Sequence, residues 1–174
     1  MLSLSLSMYE KGTISFHRPA TVDGMALHRL VAACPPLDAN SAYCNLLQCT
    51  HFSATSILAR RGDELVGAIS GYLLPDDPDT LFVWQVAVAD SARGQGLASR
   101  MLLELLARPA CQQVRFLHTS VTPENTASRA LFAALARRLS APISEQQWFA
   151  RDRDFEGEHA DEMLLAIGPF SHQR

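Results

Sequence analysis

Two short stretches of the chain carry residue types that can do chemistry together. In Arg93-Gly94-Gln95-Gly96 the glycines remove side chains from the path of a ligand, and the arginine adds a forked cation suited to phosphate oxygens. From Leu97 the apolar residues Leu97, Met101, Leu102 and Leu105 recur at helical spacing, so the loop stands at a helix N-terminus. Unpaired N–H groups and the positive end of the helix dipole collect there. Leu81 to Val88, just before the loop, is apolar or aromatic at nearly every position and reads as a central strand. Strand, loop and helix start together make an anion site, most often for phosphate or pyrophosphate. Two nucleotide motifs are excluded. There is no G-x-x-x-x-G-K-[ST], the one lysine being Lys11, and a G-x-G-x-x-G fails because its third glycine position is Ser99. A plain strand-to-helix turn is the other reading of so short a motif.

The second stretch is GEHADE at 157 to 162. His159 and Glu162 are three apart and share a face if the piece is helical. The imidazole is suited to accept a proton near neutral pH and the carboxylate to hold an ammonium; a solvated acidic loop is the bland alternative. Glu158, His159, Asp161 and Glu162 are metal-ligand types without a defined geometry, and no metal is expected.

The elements that must position these residues fit in one domain. At 174 residues, 48% hydrophobic and 19% charged, the chain has enough apolar material for one core of ordinary size. The expected division is an arm at 1–12, a single domain at 13–170 and a tail at 171–174. Fifteen basic residues are scattered against eighteen acidic ones, which argues against a nucleic-acid partner. The acidic residues cluster at Asp76, Asp77 and Asp79 and again from Asp152 to Glu162, as suits a cationic ligand. The four cysteines form no C-x-x-C. No leader or membrane span is apparent, so a cytoplasmic protein with reduced thiols is expected.

Thr13 to Phe16 reads as a first strand. Thr21 opens a helix with Met25, Leu27, Leu30 and Val31 on its apolar face, and Cys34-Pro35-Pro36 stops it. Asp38 or Asn40 is expected to cap a second helix, running through Tyr43 to about Thr50. Thr55–Arg60 and Leu65–Leu73 form a hairpin, and the loop PDDPDT leads to the central strand. After the helix to Ala107, Val114–Ser120 returns by a right-handed crossover as a parallel strand. Thr126 to Leu139 is a helix with Leu131, Leu135 and Leu139 on one face. Ser140–Gln147 reads as loop, Trp148–Arg151 as a short strand and Met163–Ile167 as the last strand. The sum is an α/β (α+β) fold with a mixed sheet of about six to seven strands, antiparallel first and parallel in the middle, with helices on both faces.

The motif R-G-Q-G-L-A after WQVAV resembles the acetyl-coenzyme A pyrophosphate loop of the GNAT superfamily of N-acetyltransferases. LDANSAYCNLL at 37–47, LFVWQVAV at 81–88 and GEHADE at 157–162 extend the likeness to the diaminobutyrate acetyltransferases of ectoine biosynthesis, over about residues 16–170. The resemblance implies a fold whose two parallel strands splay apart in the middle of the sheet. Acetyl-coenzyme A is the implied co-substrate, its pantetheine arm on Gln85, Val86, Ala87 and Val88. Its pyrophosphate is implied on Arg93, Gly94, Gln95, Gly96, Leu97, Ala98 and Ser99, with Asn125, Ser128 and Phe132 nearby.

Direct acetyl transfer to an amine needs a neutral amine, a polarised thioester and a protonated or stabilised leaving thiolate; no nucleophilic side chain is required. Many family members place a tyrosine acid seven residues after an asparagine; here the asparagine is Asn125 and the matching position is Phe132. Tyr43 is the substitute acid, with a phenol that can donate to a thiolate, or else a tyrosine packed on the sheet. Asp38 caps a helix, pairs with a substrate ammonium, or does both. Trp84 walls the substrate or belongs to the core. His159 is the candidate base and Glu162 a second ammonium ligand. The implied activity is acetylation of L-2,4-diaminobutyrate at its 4-amino group in a ternary complex, by a homodimer as is common in the family. The alternatives are another small polyamine or amino-antibiotic as acceptor, or a non-catalytic acyl-coenzyme A sensor.

Overall fold

The computed structural model describes residues 12–171, so the expected arm and tail lie almost wholly outside the described residues. Its sheet is made by segments rich in Val, Ile, Leu and aromatics. These are Ile14–His17 (β1), Ile57–Arg61 (β2), Glu64–Leu74 (β3), Asp77–Val88 (β4), Phe116–Val121 (β5), Ile143–Phe149 (β6) and Glu162–Ile167 (β7). They form one seven-stranded sheet in the order β1-β2-β3-β4-β5-β7-β6. Every neighbouring pair is antiparallel except β4 and β5.

Two expectations change at the strands. The loop PDDPDT shrinks to a turn at Pro75–Asp76, because Asp77 to Thr80 already continue β4. Ser140–Gln147 is not loop throughout: Ile143–Phe149 pairs with β7 as the edge of the sheet. This strand is exposed on both faces, so its sequence lacks the apolar alternation of a half-buried one. The Arg129 guanidinium grips the Glu145 carboxylate with two hydrogen bonds of 2.6 and 2.8 Å, tying the edge to the helix behind it.

The helices are Gly24–Ala32 (α1), Ala42–Thr50 (α2), Leu97–Leu106 (α3), Thr126–Arg138 (α4) and the single turn Arg151–Asp154 (α5). On one face of the sheet, Leu27, Leu30 and Val31 of α1 pack on Leu58, Ala68 and Ala87. Met25, expected on that apolar face, points to solvent instead. On the other face α3 and α4 cover Ile57, Ile69, Val83, Leu117 and Leu165 with Met101, Leu102, Leu105 and Phe132. α2 is capped by Ser41, whose Oγ accepts from the Cys44 N–H at 3.1 Å; neither Asp38 nor Asn40 is the cap. No helix among the described residues is long and apolar enough to cross a membrane.

Candidate active site

The site begins where two parallel strands stop pairing. β4 and β5 run in register only from Thr80/Phe116 to Val83/Thr119, and the Thr119 hydroxyl closes the pair with a 3.0 Å bond to the Val83 carbonyl. Beyond this point β5 continues on β7 through Val121, while β4 continues on β3 through Val88. The strands therefore diverge, and from Trp84 onward β4 presents a strand edge that β5 does not cover.

A β-bulge marks the divergence. Ser70 pairs with Gln85 but Gly71 with Val83, which makes Trp84 the extra residue. Gly71 permits the close approach, since a Cβ there would lie 2.8 Å from the Phe82 carbonyl oxygen. The bulge turns Trp84 and Gln85, adjacent in sequence, into one 260 Å3 cavity.

Toward the helix-covered side, the gap leads into a groove of 440 Å3 between Val86, Val88 and Ala98 on one wall, Cys34 to Leu37 on another, and Asn125, Ser128 and Leu131 of α4. It continues to a 220 Å3 hollow over Gly94, Gly96, Leu97, Ala98 and Ser99. Gly94 and Gly96 hold φ of +71° and +69°, a left-handed conformation that disfavours side chains, and a Cβ on either would meet nothing within 4 Å. Gly96 starts α3 without a side-chain cap, which leaves the first-turn N–H groups facing open space. This arrangement fits the pyrophosphate and pantetheine arm of a coenzyme A thioester. Arg93 is half-exposed and partly committed, donating to the Val88 carbonyl at 3.1 Å and pairing with Asp90 at 2.8 Å. Asn125 lines the groove while its side chain caps α4, accepting from the Ser128 N–H.

Toward the other side, the gap opens into the cavity shared by Asp38, Trp84, Gln85, His159 and Glu162. His159 Nδ1 lies 2.7 Å from the Ala160 carbonyl, so that nitrogen carries the proton and Nε2 is left to exchange one. Nε2 lies 3.4 Å from the Asp38 carboxylate. The bond to Ala160 raises the imidazole above its ordinary value of 6.5; burial opposes this, and the charges of Asp38 and Glu162 add to it. The Glu162 carboxylate makes no hydrogen bond or salt bridge among the described residues, although its charge reaches His159. Its carboxylate borders a further 280 Å3 chamber walled by Tyr72, Phe82, Trp84, Trp148 and Phe155. The rings follow one another in a chain, Tyr72 to Phe82 at 5.3 Å, Phe82 to Trp148 at 5.4 Å, Trp148 to Phe149 at 4.3 Å, Phe149 to Phe155 at 6.1 Å and Phe155 to His159 at 4.6 Å. Aromatic faces around an unpaired carboxylate attract an alkylammonium.

The structure brings Asp38, Trp84, His159 and Glu162, from three separate segments, to the lining of one cavity. His159 and Glu162 do not share a helix: residue 159 sits in a turn and Glu162 opens β7. Trp84 is 40% exposed, a wall of the cavity and not a core residue. Tyr43 is not brought among the lining residues; it stands in the first turn of α2, 70% exposed. Phe132, expected beside the cofactor, is 2% exposed and belongs to the core under the sheet. Ala87 likewise points into the α1 layer, leaving only its backbone for a ligand. Of the acidic crowd only Glu162 faces the cavity, where Asp38 joins it from another segment; Asp154 is held by Arg153, and Asp161 by the Arg151 N–H. Missed from the sequence were Asn40, Tyr72, Phe82, Ser120, Trp148 and Phe155. The aromatic density from Trp148 to Phe155 was the one available signal for the chamber.

A sheet splayed at a bulged strand, with a glycine loop at a helix start on one side and an acidic cavity on the other, defines an acyl-coenzyme A dependent transferase of amines. The model of the acetyltransferase (GNAT) family matches residues 25–136, and the chain belongs to this family. It is 53% identical over 157 residues to the L-2,4-diaminobutyric acid acetyltransferase of Methylotuvimicrobium alcaliphilum, covering 90% of this chain and 91% of that protein. Over 155 residues it is 50% identical to the same-named protein of Bordetella parapertussis, covering 88% and 83%. Among solved structures it is similar to diaminobutyrate acetyltransferase from Paenibacillus lautus in complex with its substrate L-2,4-diaminobutyric acid and coenzyme A. There the TM-score is 0.88 and the identity 40%, covering 94% of this chain and 99% of that one.

Proposed function

We infer that this protein is an acetyl-coenzyme A dependent N-acetyltransferase that acetylates L-2,4-diaminobutyrate at its 4-amino group, in ectoine biosynthesis. The observation that carries the reading is the cavity where Asp38, His159 and Glu162 meet beside the uncovered edge of β4. It agrees with the substrate named for the relatives. The acetyl group arrives as the thioester of coenzyme A, whose pyrophosphate is assigned to Gly94 to Ser99 and whose arm is assigned to Val86 and Val88. Asn125 and Ser128 line the opposite wall.

The two ends of the amino acid then have distinct partners. Glu162, unpaired and flanked by the aromatic chamber, is suited to the ammonium that is not acylated. Nε2 of His159, held toward Asp38, takes the proton from the amine that attacks. The Trp84 indole N–H is a candidate donor to the substrate carboxylate. Tyr43 is the proposed donor to the departing thiolate. This assignment rests on the family resemblance, since Tyr43 stands 70% exposed in the first turn of α2, five residues after Asp38 and outside the cavity's lining. Residues 13–170 act as one domain on this reading, since a single sheet runs from Ile14 to Ile167. A cytoplasmic setting is proposed with it, and the family resemblance adds a homodimer.

Thiol release from acetyl-coenzyme A, measured over a panel of amines, tests the reading. Diaminobutyrate is expected to give the highest kcat/KM. Faster turnover of a polyamine or an aminoglycoside would overturn the substrate, and binding without turnover of any amine would overturn the enzyme.

A further inference from the structure

The proposed chemistry depends on Asp38 standing against His159, yet nothing packs Asp38 in place. It lies in the segment 33–41, which contains neither helix nor strand, and its side chain is 78% exposed. Cys34, 3% exposed, and Leu37 seat the first part of the segment on the core, so the ordering of residues 38–40 falls to specific bonds. Here the bonds come from Gln85. Its Nε2–H donates to the Asp38 carbonyl at 2.9 Å, and its Oε1 accepts from the Asn40 side-chain amide at 2.7 Å. One amide thus uses both of its ends on the same piece of chain. The Cys34 thiol adds a weaker contact, 3.4 Å, to the Val88 carbonyl. Both anchor points lie on the length of β4 that β5 has left, so the segment spans the gap between the cofactor groove and the amine cavity.

We propose that Gln85 is a positioning residue of the acetyl transfer, latching the 38–40 segment onto β4 and thereby setting the Asp38 carboxylate against His159. The inference rests on the amine-acetyltransferase reading for its kinetic consequence only. The bulge at Trp84 is what makes the latch possible, because the extra residue directs Gln85 to the cavity that Trp84 also lines. No other side chain of similar size serves both bonds. Glutamate accepts from Asn40 but sets an anion against the Asp38 carbonyl, and leucine makes neither contact.

The groups facing His159 are Asp38 from the latched segment, Glu162 from β7, the Ala160 carbonyl of its own turn and the Phe155 ring. Releasing the segment removes the first and leaves the rest. In Gln85→Leu the His159 imidazole, followed by NMR on the full chain without substrates, is therefore expected to titrate at lower pH than in the parent. The amine KM is expected to rise about tenfold while the acetyl-coenzyme A KM stays within about twofold. Adding Asp38→Asn to Gln85→Leu should cost little more, because the carboxylate is already displaced. Asn40→Ala breaks half of the latch and should shift both readouts in the same direction by less; it decides the matter if Gln85→Leu does not fold. An unchanged His159 titration and amine KM in a folded variant would overturn the latch, as would a full Asp38→Asn effect in the Gln85→Leu background. The titration needs no turnover, so a failure of the diaminobutyrate reading is seen separately, as an inactive parent enzyme with a latch that still moves His159.

Discussion

The half of the cleft assigned to the cofactor is built from backbone, and the half assigned to the amine is built from side chains. The first consists of the β4 edge, two left-handed glycines and the uncapped start of α3, all between Trp84 and Ser99. The second draws Asp38 from one segment, Trp84 from a bulge, His159 from a turn and Glu162 from the start of β7. On the proposed reading, backbone groups recognise what every acyl-coenzyme A has in common, while scattered side chains recognise one amine. Changes in the two halves should therefore separate kinetically.

The largest expected effect lies on the amine side. Glu162→Ala removes the one unpaired carboxylate of the chamber and should lower kcat/KM for diaminobutyrate about a hundredfold, with cofactor affinity held within about twofold. Steady-state kinetics checks this, and a matching loss of cofactor affinity would break the division. Tyr43→Phe should lower kcat about thirtyfold without changing the dissociation constant of acetyl-coenzyme A, as measured by calorimetry. A normal kcat would remove Tyr43 from the chemistry, leaving solvent as the acid. On the cofactor side, Gly96→Val forces a β-branched residue into φ +69° and should weaken acetyl-coenzyme A binding about tenfold, while the amine KM measured at saturating cofactor barely moves.

Smaller effects sharpen the same contrast. His159 has a raised pKa, so it is neutral, and able to accept a proton, only above that raised value. The acid limb of kcat/KM should therefore fall above 6.5 and move to lower pH in Asp38→Asn, because that charge helps to stabilise the imidazolium. A limb that does not respond to Asp38 would separate the two residues. Ser41→Ala removes the cap of α2 and should cost about 1 kcal/mol in denaturant unfolding, with little effect on cofactor affinity.

The same contrast explains what the sequence disclosed. The anion loop could be read from a few adjacent residues, since glycines at a helix start act through local conformation. β2 to β5, α3 and α4 followed from apolar periodicity, because each buries a face. β6 escaped because an edge strand open on both sides has no buried face to write into its sequence. The cap at Ser41 escaped because Asp38 and Asn40 are equally good caps locally; in the fold the Asn40 amide bonds Gln85 and the Asp38 carboxylate faces His159. The amine cavity was legible through family resemblance and not through spacing: nothing local says that residue 38 will meet residue 159. Phe132 marks the limit of that resemblance, since the position matching the usual acid holds a side chain sunk in the core.

The central claim is that the amine half presents the 4-amino group of diaminobutyrate to the thioester. Proton and carbon NMR of the product of a complete turnover with acetyl-coenzyme A tests it directly. The account predicts a single product acetylated at the 4-nitrogen, with the 2-ammonium free. Acetylation at the 2-nitrogen, or a mixture of the two, would contradict it.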